Sequence, residues 1–247
     1  MKILALIPAR LNSLRLPGKP LLKIDNIPLV VHVMKRVMMC KKIDRVIVCA
    51  DDIKTKDIVE KYNGECLLTN KKHRNGTERI NEIASKFKNY QLIIDVQCDE
   101  IFINPSQLSR LITFHKKNNN FDIVIPNKFI STREAKNINV VKIISNQYNN
   151  ILYMTRSLAP SFFRQKKNIY KKHLDYISFT SEGLKNYNKL EKSINEKSEG
   201  IELNRALDCG LKVGTFSTNV NNFSINTKKD LFLARKLIKK CSIRKKY

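Results

Sequence analysis

The sequence predicts an α/β protein built on a doubly wound, mostly parallel sheet with a small antiparallel insertion. Three observations lead there. Short uninterrupted apolar runs, such as Ile3 to Ile7 and Arg45 to Ala50, suit strands buried on both faces. These runs alternate with segments of helical apolar spacing, the pattern of parallel strands joined by crossovers on both faces. Polar, chemistry-bearing residues gather just after the runs, where the carboxyl ends of strands in open α/β sheets bind ligands.

The first run breaks at Pro8 and opens a loop with Arg10, Arg15 and Lys19, spaced by Ser13, Pro17 and Gly18. Three cations in an irregular segment predict a polyphosphate site, and two of them are Arg, which suits bidentate phosphate contacts. Chance clustering is the alternative, because the chain has 47 Lys and Arg residues.

Ile27 to Met39 has helical spacing, with Pro28 suited to a first turn and His32 expected as a packed core residue. The second strand, ending at Ala50, is followed by Asp51 and Asp52 and an amphipathic helix through Tyr62, which Gly64 is expected to end. Then come a strand over Glu65 to Leu68, a helix from about Gly76 to Phe87 and a strand over Gln91 to Val96. Before the second of these helices lies H-R-N-G-T-E-R, His73 to Arg79, where Asn75 or Thr77 caps the helix and exposed N–H groups suit an anion or a base edge. An ordinary capped Asn-Gly turn reads equally well.

The strand ending at Val96 leads into Q-C-D-E, and a carboxylate at such an edge is a natural ligand for Mg²⁺ accompanied by phosphates. A helix over Asn104 to Lys116 and a strand over Phe121 to Pro126 follow. Asn137 to Tyr153 contains two strand-like runs around N-Q-Y-N-N, a hairpin pattern. Lys236 to Tyr247 reads as a helix with a frayed tail.

P-A-R-L-N-S-L-R-L-P-G-K-P, Pro8 to Pro20, resembles the opening signature of the sugar cytidylyltransferases, specifically the 3-deoxy-manno-octulosonate (Kdo) cytidylyltransferases. G-T-E-R at Gly76 to Arg79 and V-Q-C-D-E at Val96 to Glu100 are similar to further motifs of that family. The resemblance implies a Rossmann-like nucleotide-diphospho-sugar transferase fold, and transfer of CMP from CTP to the anomeric hydroxyl of a sugar acid with release of pyrophosphate. Pro8, Ala9, Arg10, Ser13, Arg15, Lys19, Asn75, Gly76, Thr77, Arg79 and Gln97 would bind the nucleotide, with Arg10, Lys19 and Asp99 catalytic. Asp99, and Asn226 at the position of a second metal-binding Asp, would hold Mg²⁺. Arg156, His173 and Glu202 would bind the sugar acid.

Departures from the family pattern are specific. Cys98 stands for a Gly, Ile101 for a Pro, Asp175 for a Gly, Ile177 for a sugar-contacting Tyr and Leu203 for a Gln. Asp175, Ile177 and Leu203 keep open an acceptor such as 8-amino-Kdo or a nonulosonic acid, and Cys98 and Asn226 keep open a degenerate nucleotide-binding paralogue without turnover. Glu199, Glu202 and Arg205 have i, i+3 spacing and are expected on one helix face.

The expected organisation is one nucleotidyltransferase domain over residues 1–247, with residues of about 137–180 as an acceptor-binding or dimerisation insertion. The expected partners are CTP and a sugar acid, with a homodimer implied by the resemblance. A formal charge of +25 attracts polyanions, but its cations are spread along the chain and no nucleic-acid motif accompanies them, so no specific nucleic-acid partner is expected. Six scattered cysteines without zinc-ligand spacing, and no membrane-length apolar stretch, predict a cytoplasmic protein.

Overall fold

The computed structural model describes residues 1–12, 16–161, 163–164, 169–220 and 223–247. The chain divides into two compact units, residues 1–110 with 222–247, and residues 111–221.

In the first unit, β1 (Ile3–Ala9) is buried along its whole length, as its apolar run requires. A two-stranded antiparallel ribbon follows, β2 (Lys23–Ile24) and β3 (Ile27–Pro28), turning through Asp25 and Asn26 at positive φ. Helix α1 (Leu29–Met38) therefore starts one residue after Pro28, which is its N-cap rather than part of its first turn. Next come β4 (Arg45–Ala50), α2 (Ile53–Lys61), β5 (Glu65–Leu68), α3 (Gly76–Ala84) and β6 (Leu92–Val96), followed by α4 (Pro105–Lys117), whose residues from Leu111 onward belong to the second unit. Asp52 caps α2 by accepting from the Lys54 N–H at 2.8 Å.

The turn after α2 differs from the expectation. Asn63, at φ 57°, takes the left-handed position, and Gly64 is needed for space, since a Cβ there would sit 2.1 Å from Met34 Sδ.

All strand pairs among β5, β4, β1 and β6 are parallel, in that order across the sheet. The chain moves outward from β1 to β4 and β5, then returns to β6 on the other side of β1. Because crossovers between parallel strands are right-handed almost without exception, this change of direction puts helices on both faces, which makes the unit doubly wound, and the reversal falls at the carboxyl ends of β1 and β6.

The second unit begins with β7 (Ile123–Phe129), α5 (Thr132–Ala135), β8 (Lys142–Ser145) and β9 (Ile151–Thr155). The hairpin β8–β9 is antiparallel, as its sequence pattern predicts, with Asn149 at φ 66° in its turn. β10 (Lys171–His173) and β11 (Tyr176–Thr180) are separate strands, both antiparallel to β7. The break at Leu174 and Asp175 means that strand alternation does not run from His173 to Ile177; Tyr176 is buried.

Helices α6 (Ser181–Asn188), α7 (Ile194–Glu199) and α8 (Asn204–Asp208) precede β12 (Val213–Ser217), which runs parallel to β7. Glu199, Glu202 and Arg205 do not share a helix face. Gly200, at φ 62°, ends α7, and Arg205 lies in α8, paired with Glu196 at 2.7 Å.

Back in the first unit, α9 (Lys228–Ile238) starts with a capping box in which the Thr227 and Asp230 side chains satisfy each other's backbone N–H groups. The chain end is not frayed. A 3-10 turn over Ser242–Lys246 carries Tyr247 back to α1, where its hydroxyl lies 2.9 Å from His32 Nδ1 and accepts from Arg36 Nε at 3.0 Å. His32 is a core residue as expected, with Nε2 at the Ile24 carbonyl and burial holding its pKa down to about 4. Among the described residues, no helix is long and apolar enough to cross a membrane.

Candidate functional site

Three loops of the first unit meet over one hydrophobic cluster, in which Leu16, Ile101 and Ile225 pack with Leu29, Leu231 and Ile238. Fully burying one such side chain stabilises by roughly 1.5–3 kcal/mol, so the residues beside them are held by packing rather than by the loops themselves. Ile101, which stands for a Pro, anchors its loop through this burial.

The phosphate-type loop is tied down at several points. Leu11 N–H donates to Asp51 Oδ1 at 3.0 Å, and Gly18 N–H donates to the Leu11 carbonyl at 3.1 Å. Gly18, at φ 67°, makes the turn that starts the short 3-10 segment carrying Lys19. From there the Lys19 ammonium reaches Asp99 Oδ2 at 2.5 Å and Asn226 Oδ1 at 3.3 Å. The Ile225 N–H donates to the Asp99 carbonyl at 3.2 Å, and the Ser224 hydroxyl donates to the buried Glu100 carboxylate, which together fix the segment carrying Asn226.

These elements enclose a pocket of about 330 Å³ at the carboxyl ends of β1 and β6. Pro8, Arg10, Asn12 and Lys19 line it from the first loop, and Asn75, Gly76 and Arg79 from the start of α3. Gln97, Cys98 and Asp99 line it from the loop after β6. Gly76 comes close enough to β1 that a Cβ would stand 3.3 Å from Pro8 Cγ, so a larger residue would push on the pocket wall. The Arg10 side chain is exposed and has no partner among the described residues.

Asn75 is the α3 cap, accepting from Glu78 N–H at 2.8 Å, and this resolves the choice between Asn75 and Thr77. Gln97 donates through Nε2 to both oxygens of Asp95, at 3.0 Å each, which fixes its amide orientation. Arg79 is almost fully buried, with its guanidinium on Asp51 at 3.2 Å and on the Thr69 hydroxyl. Burial and the neighbouring Asp99 charge push the Cys98 thiol up to about 12.

Ala9 is buried at the end of β1 and Thr77 in the first turn of α3. Ser13 and Arg15 lie outside the described residues. Sequence reasoning missed Asp51 and Asp95 as organisers of the pocket. Their signal was a carboxylate at or near the end of a buried strand.

In the second unit, Arg156 follows β9 and donates to the carbonyls of Glu199 (2.7 Å), Ile138 (3.2 Å) and Gly200 (3.3 Å). His173 Nδ1 lies 3.2 Å from Asp175 Oδ1. Glu202 lies between α7 and α8, and its carbonyl accepts from the Tyr187 hydroxyl at 3.1 Å.

The family described as cytidylyltransferase matches residues 4–213. The chain belongs to the cytidylyltransferase family. Similar members are 3-deoxy-manno-octulosonate cytidylyltransferases. That of Leptospira interrogans is 31% identical, with 93% of each chain covered. That of Thermodesulfovibrio yellowstonii is 33% identical, with 96% of this chain and 98% of the relative covered, and that of Escherichia coli is 30% identical, with 92% of each covered. A solved structure of CMP:2-keto-3-deoxy-manno-octonic acid synthetase complexed with CTP superposes with a TM-score of 0.93 at 29% identity, covering 97% of this cytidylyltransferase and 99% of that chain. The fold is thus the nucleotidyltransferase α/β fold that the sequence predicts.

Proposed function

We propose that this cytidylyltransferase transfers CMP from CTP to the anomeric hydroxyl of a 3-deoxy-manno-octulosonate-type sugar acid, releasing pyrophosphate. The observation that carries the reading is the convergence of Arg10, Lys19 and Asp99 on one pocket at the switch point of the sheet, in a chain whose similar relatives are named for this reaction. The product is an activated sugar for lipopolysaccharide or another surface polysaccharide.

In the reaction, the anomeric oxygen forms a bond to the α-phosphorus of CTP while the bond to the pyrophosphate oxygen breaks, and the hydroxyl proton passes to solvent. Arg10 and Lys19 neutralise charge on the phosphates, and the packed loops hold the triphosphate in line for attack. Asn75, Gly76, Thr77 and Gln97 hold the nucleoside, with Arg79 stiffening that wall through Asp51. Arg156, His173 and Glu202 hold the sugar acid.

Mg²⁺ fits the residues present. The oxygens of Asp99 and Asn226 already converge on a cation, the Lys19 ammonium, and one carboxylate with phosphate oxygens and water is the donor set this ion uses. Among the described residues no group of three or more His, Cys, Asp and Glu converges, so substrate oxygens would complete the shell. When bound, the ion would offset charge developing on the phosphates.

The reaction belongs in the cytoplasm, and all six cysteines carry free thiols, which suits a reducing compartment. A homodimer is part of the proposal, with the β8–β9 hairpin, which exposes Tyr148 and Leu152, in its interface; light scattering measures it.

The test is CTP-dependent pyrophosphate release across a panel of sugar acids. Release with Kdo supports the reading. Release only with 8-amino-Kdo or a nonulosonic acid moves the acceptor, a result that buried Leu203 and Ile177 in the acceptor motifs would explain. CTP binding by calorimetry without release from any acid would mark a protein that binds nucleotide without turnover.

A further inference from the structure

The second unit holds a charge whose burial the established chemistry does not use. Lys142, the first residue of β8, is 0% exposed. Lysine is almost never fully buried unless paired with an opposite charge, because desolvating an ammonium is costly. Among the described residues no carboxylate forms an ion pair with it. Its Nζ instead donates to two backbone carbonyls, that of Val140 at 2.7 Å and that of Arg156. A methionine of similar length would fill the same space without the desolvation cost, so the retained charge calls for a role.

That role is legible in what surrounds Arg156. Lys142 lies opposite Thr155 in the hairpin register, which brings its stem alongside the end of β9. The Arg156 carbonyl accepts from the Lys142 ammonium, while the Arg156 N–H donates to Glu199 Oε2 at 2.7 Å. The other Glu199 oxygen accepts from the Thr155 hydroxyl at 2.6 Å, and that hydroxyl accepts from the Ser157 N–H at 3.0 Å. The residue carrying the guanidinium is therefore gripped on its backbone by a cation on one side and an anion on the other, while its side chain is steered by three carbonyls.

We infer that Lys142 and Glu199 are positioning residues that act through Arg156, fixing the direction in which its guanidinium meets the carboxylate of the sugar acid. The inference rests on the reading of Arg156 as a sugar-acid residue. Charged hydrogen bonds to a backbone carbonyl and N–H are stronger than neutral ones, and here they hold the two peptide planes that flank Arg156 against rotation where a β-strand ends and its ladder no longer does so. Burial lowers the Lys142 pKa; the Glu199 charge opposes this shift and the Arg156 charge adds to it.

The test is a double-mutant cycle with Lys142→Met and Arg156→Ala, reading kcat/KM for the sugar acid and the CTP affinity by calorimetry. In the native background, Lys142→Met should lower kcat/KM for the sugar acid at least tenfold, mainly through KM, with CTP affinity unchanged. In the Arg156→Ala background the same change should cost less than twofold, because the group it directs has gone. An effect under twofold in the native background overturns the inference, as does an equal effect in both. If Lys142→Met fails to bind CTP, Glu199→Gln takes its place in the cycle under the same criteria.

Hydrogen exchange keeps this question separate from the proposed reaction. The Arg156 and Ser157 amides should exchange at least tenfold faster in Lys142→Met, and unchanged exchange contradicts the clamp. Faster exchange in Lys142→Met, in a protein whose native form uses no sugar acid, would defeat the proposed acceptor and leave the clamp standing.

Discussion

The Lys19 ammonium lies 2.5 Å from Asp99 Oδ2, joining two loops 80 residues apart in the chain. The two groups neutralise each other. With a nucleoside triphosphate and a divalent cation present, the ammonium has a stronger partner in phosphate and the carboxylate a stronger one in the metal. The pair is thus poised for exchange of partners, and its two members should respond differently to substitution.

Lys19→Ala should lower kcat by about 100-fold, or about 2.7 kcal/mol of transition-state stabilisation, while weakening CTP binding less than tenfold. Steady-state pyrophosphate release and calorimetry measure the two effects. Equal turnover in variant and native protein would remove Lys19 from the chemistry.

Asn226→Asp should lower the Mg²⁺ concentration needed for half-maximal rate several-fold. A second carboxylate offsets the charge of a desolvated cation, which the amide oxygen now near Lys19 cannot do. An unchanged Mg²⁺ titration would place Asn226 outside the metal site.

Cys98 should be a slow thiol, as should buried Cys49 and Cys66, and Cys209 a fast one. Alkylation needs thiolate, and the Cys98 pKa, pushed up to about 12 by burial and the Asp99 charge, leaves little of it at pH 8, whereas Cys209 is exposed. Peptide mapping after timed iodoacetamide treatment reads both; faster labelling at Cys98 would contradict this environment.

Stability should fall as pH drops from 6.5 towards 4. The folded pKa of His32 is held at about 4 and its unfolded value is 6.5, so in that window the unfolded chain binds more protons and acid favours it. The full effect, reached below pH 4, is about 3 kcal/mol. Urea unfolding at several pH values should show a shallower slope for His32→Gln than for the native protein; identical slopes would mean that His32 does not titrate in this way.

The order of strands and helices in the first unit was legible because buried parallel strands read as plain apolar runs, and the site loops follow them directly. A cap at Asn75 or Thr77 was legible for the same local reason, though the choice between the two needed the Asn75 contact with the Glu78 N–H. The break at Gly200 was not, since i, i+3 spacing is equally compatible with one helix or with two short ones joined by a left-handed turn. Tyr247 was misread because its partners, His32 and Arg36, lie more than 200 residues away, and a basic tail carries no local sign of that packing. Lys142 was hidden for a related reason: in a sequence with 47 cations, nothing local distinguishes a buried ammonium from a solvated one.

The central claim is tested most directly by incubating the native protein with Mg²⁺, Kdo and CTP labelled at the α-phosphorus, then following the label. The account predicts one labelled product, CMP joined to the anomeric oxygen of the sugar acid, formed in equal amount with unlabelled pyrophosphate. Label that remains in CTP, or that appears only as free CMP, would contradict it.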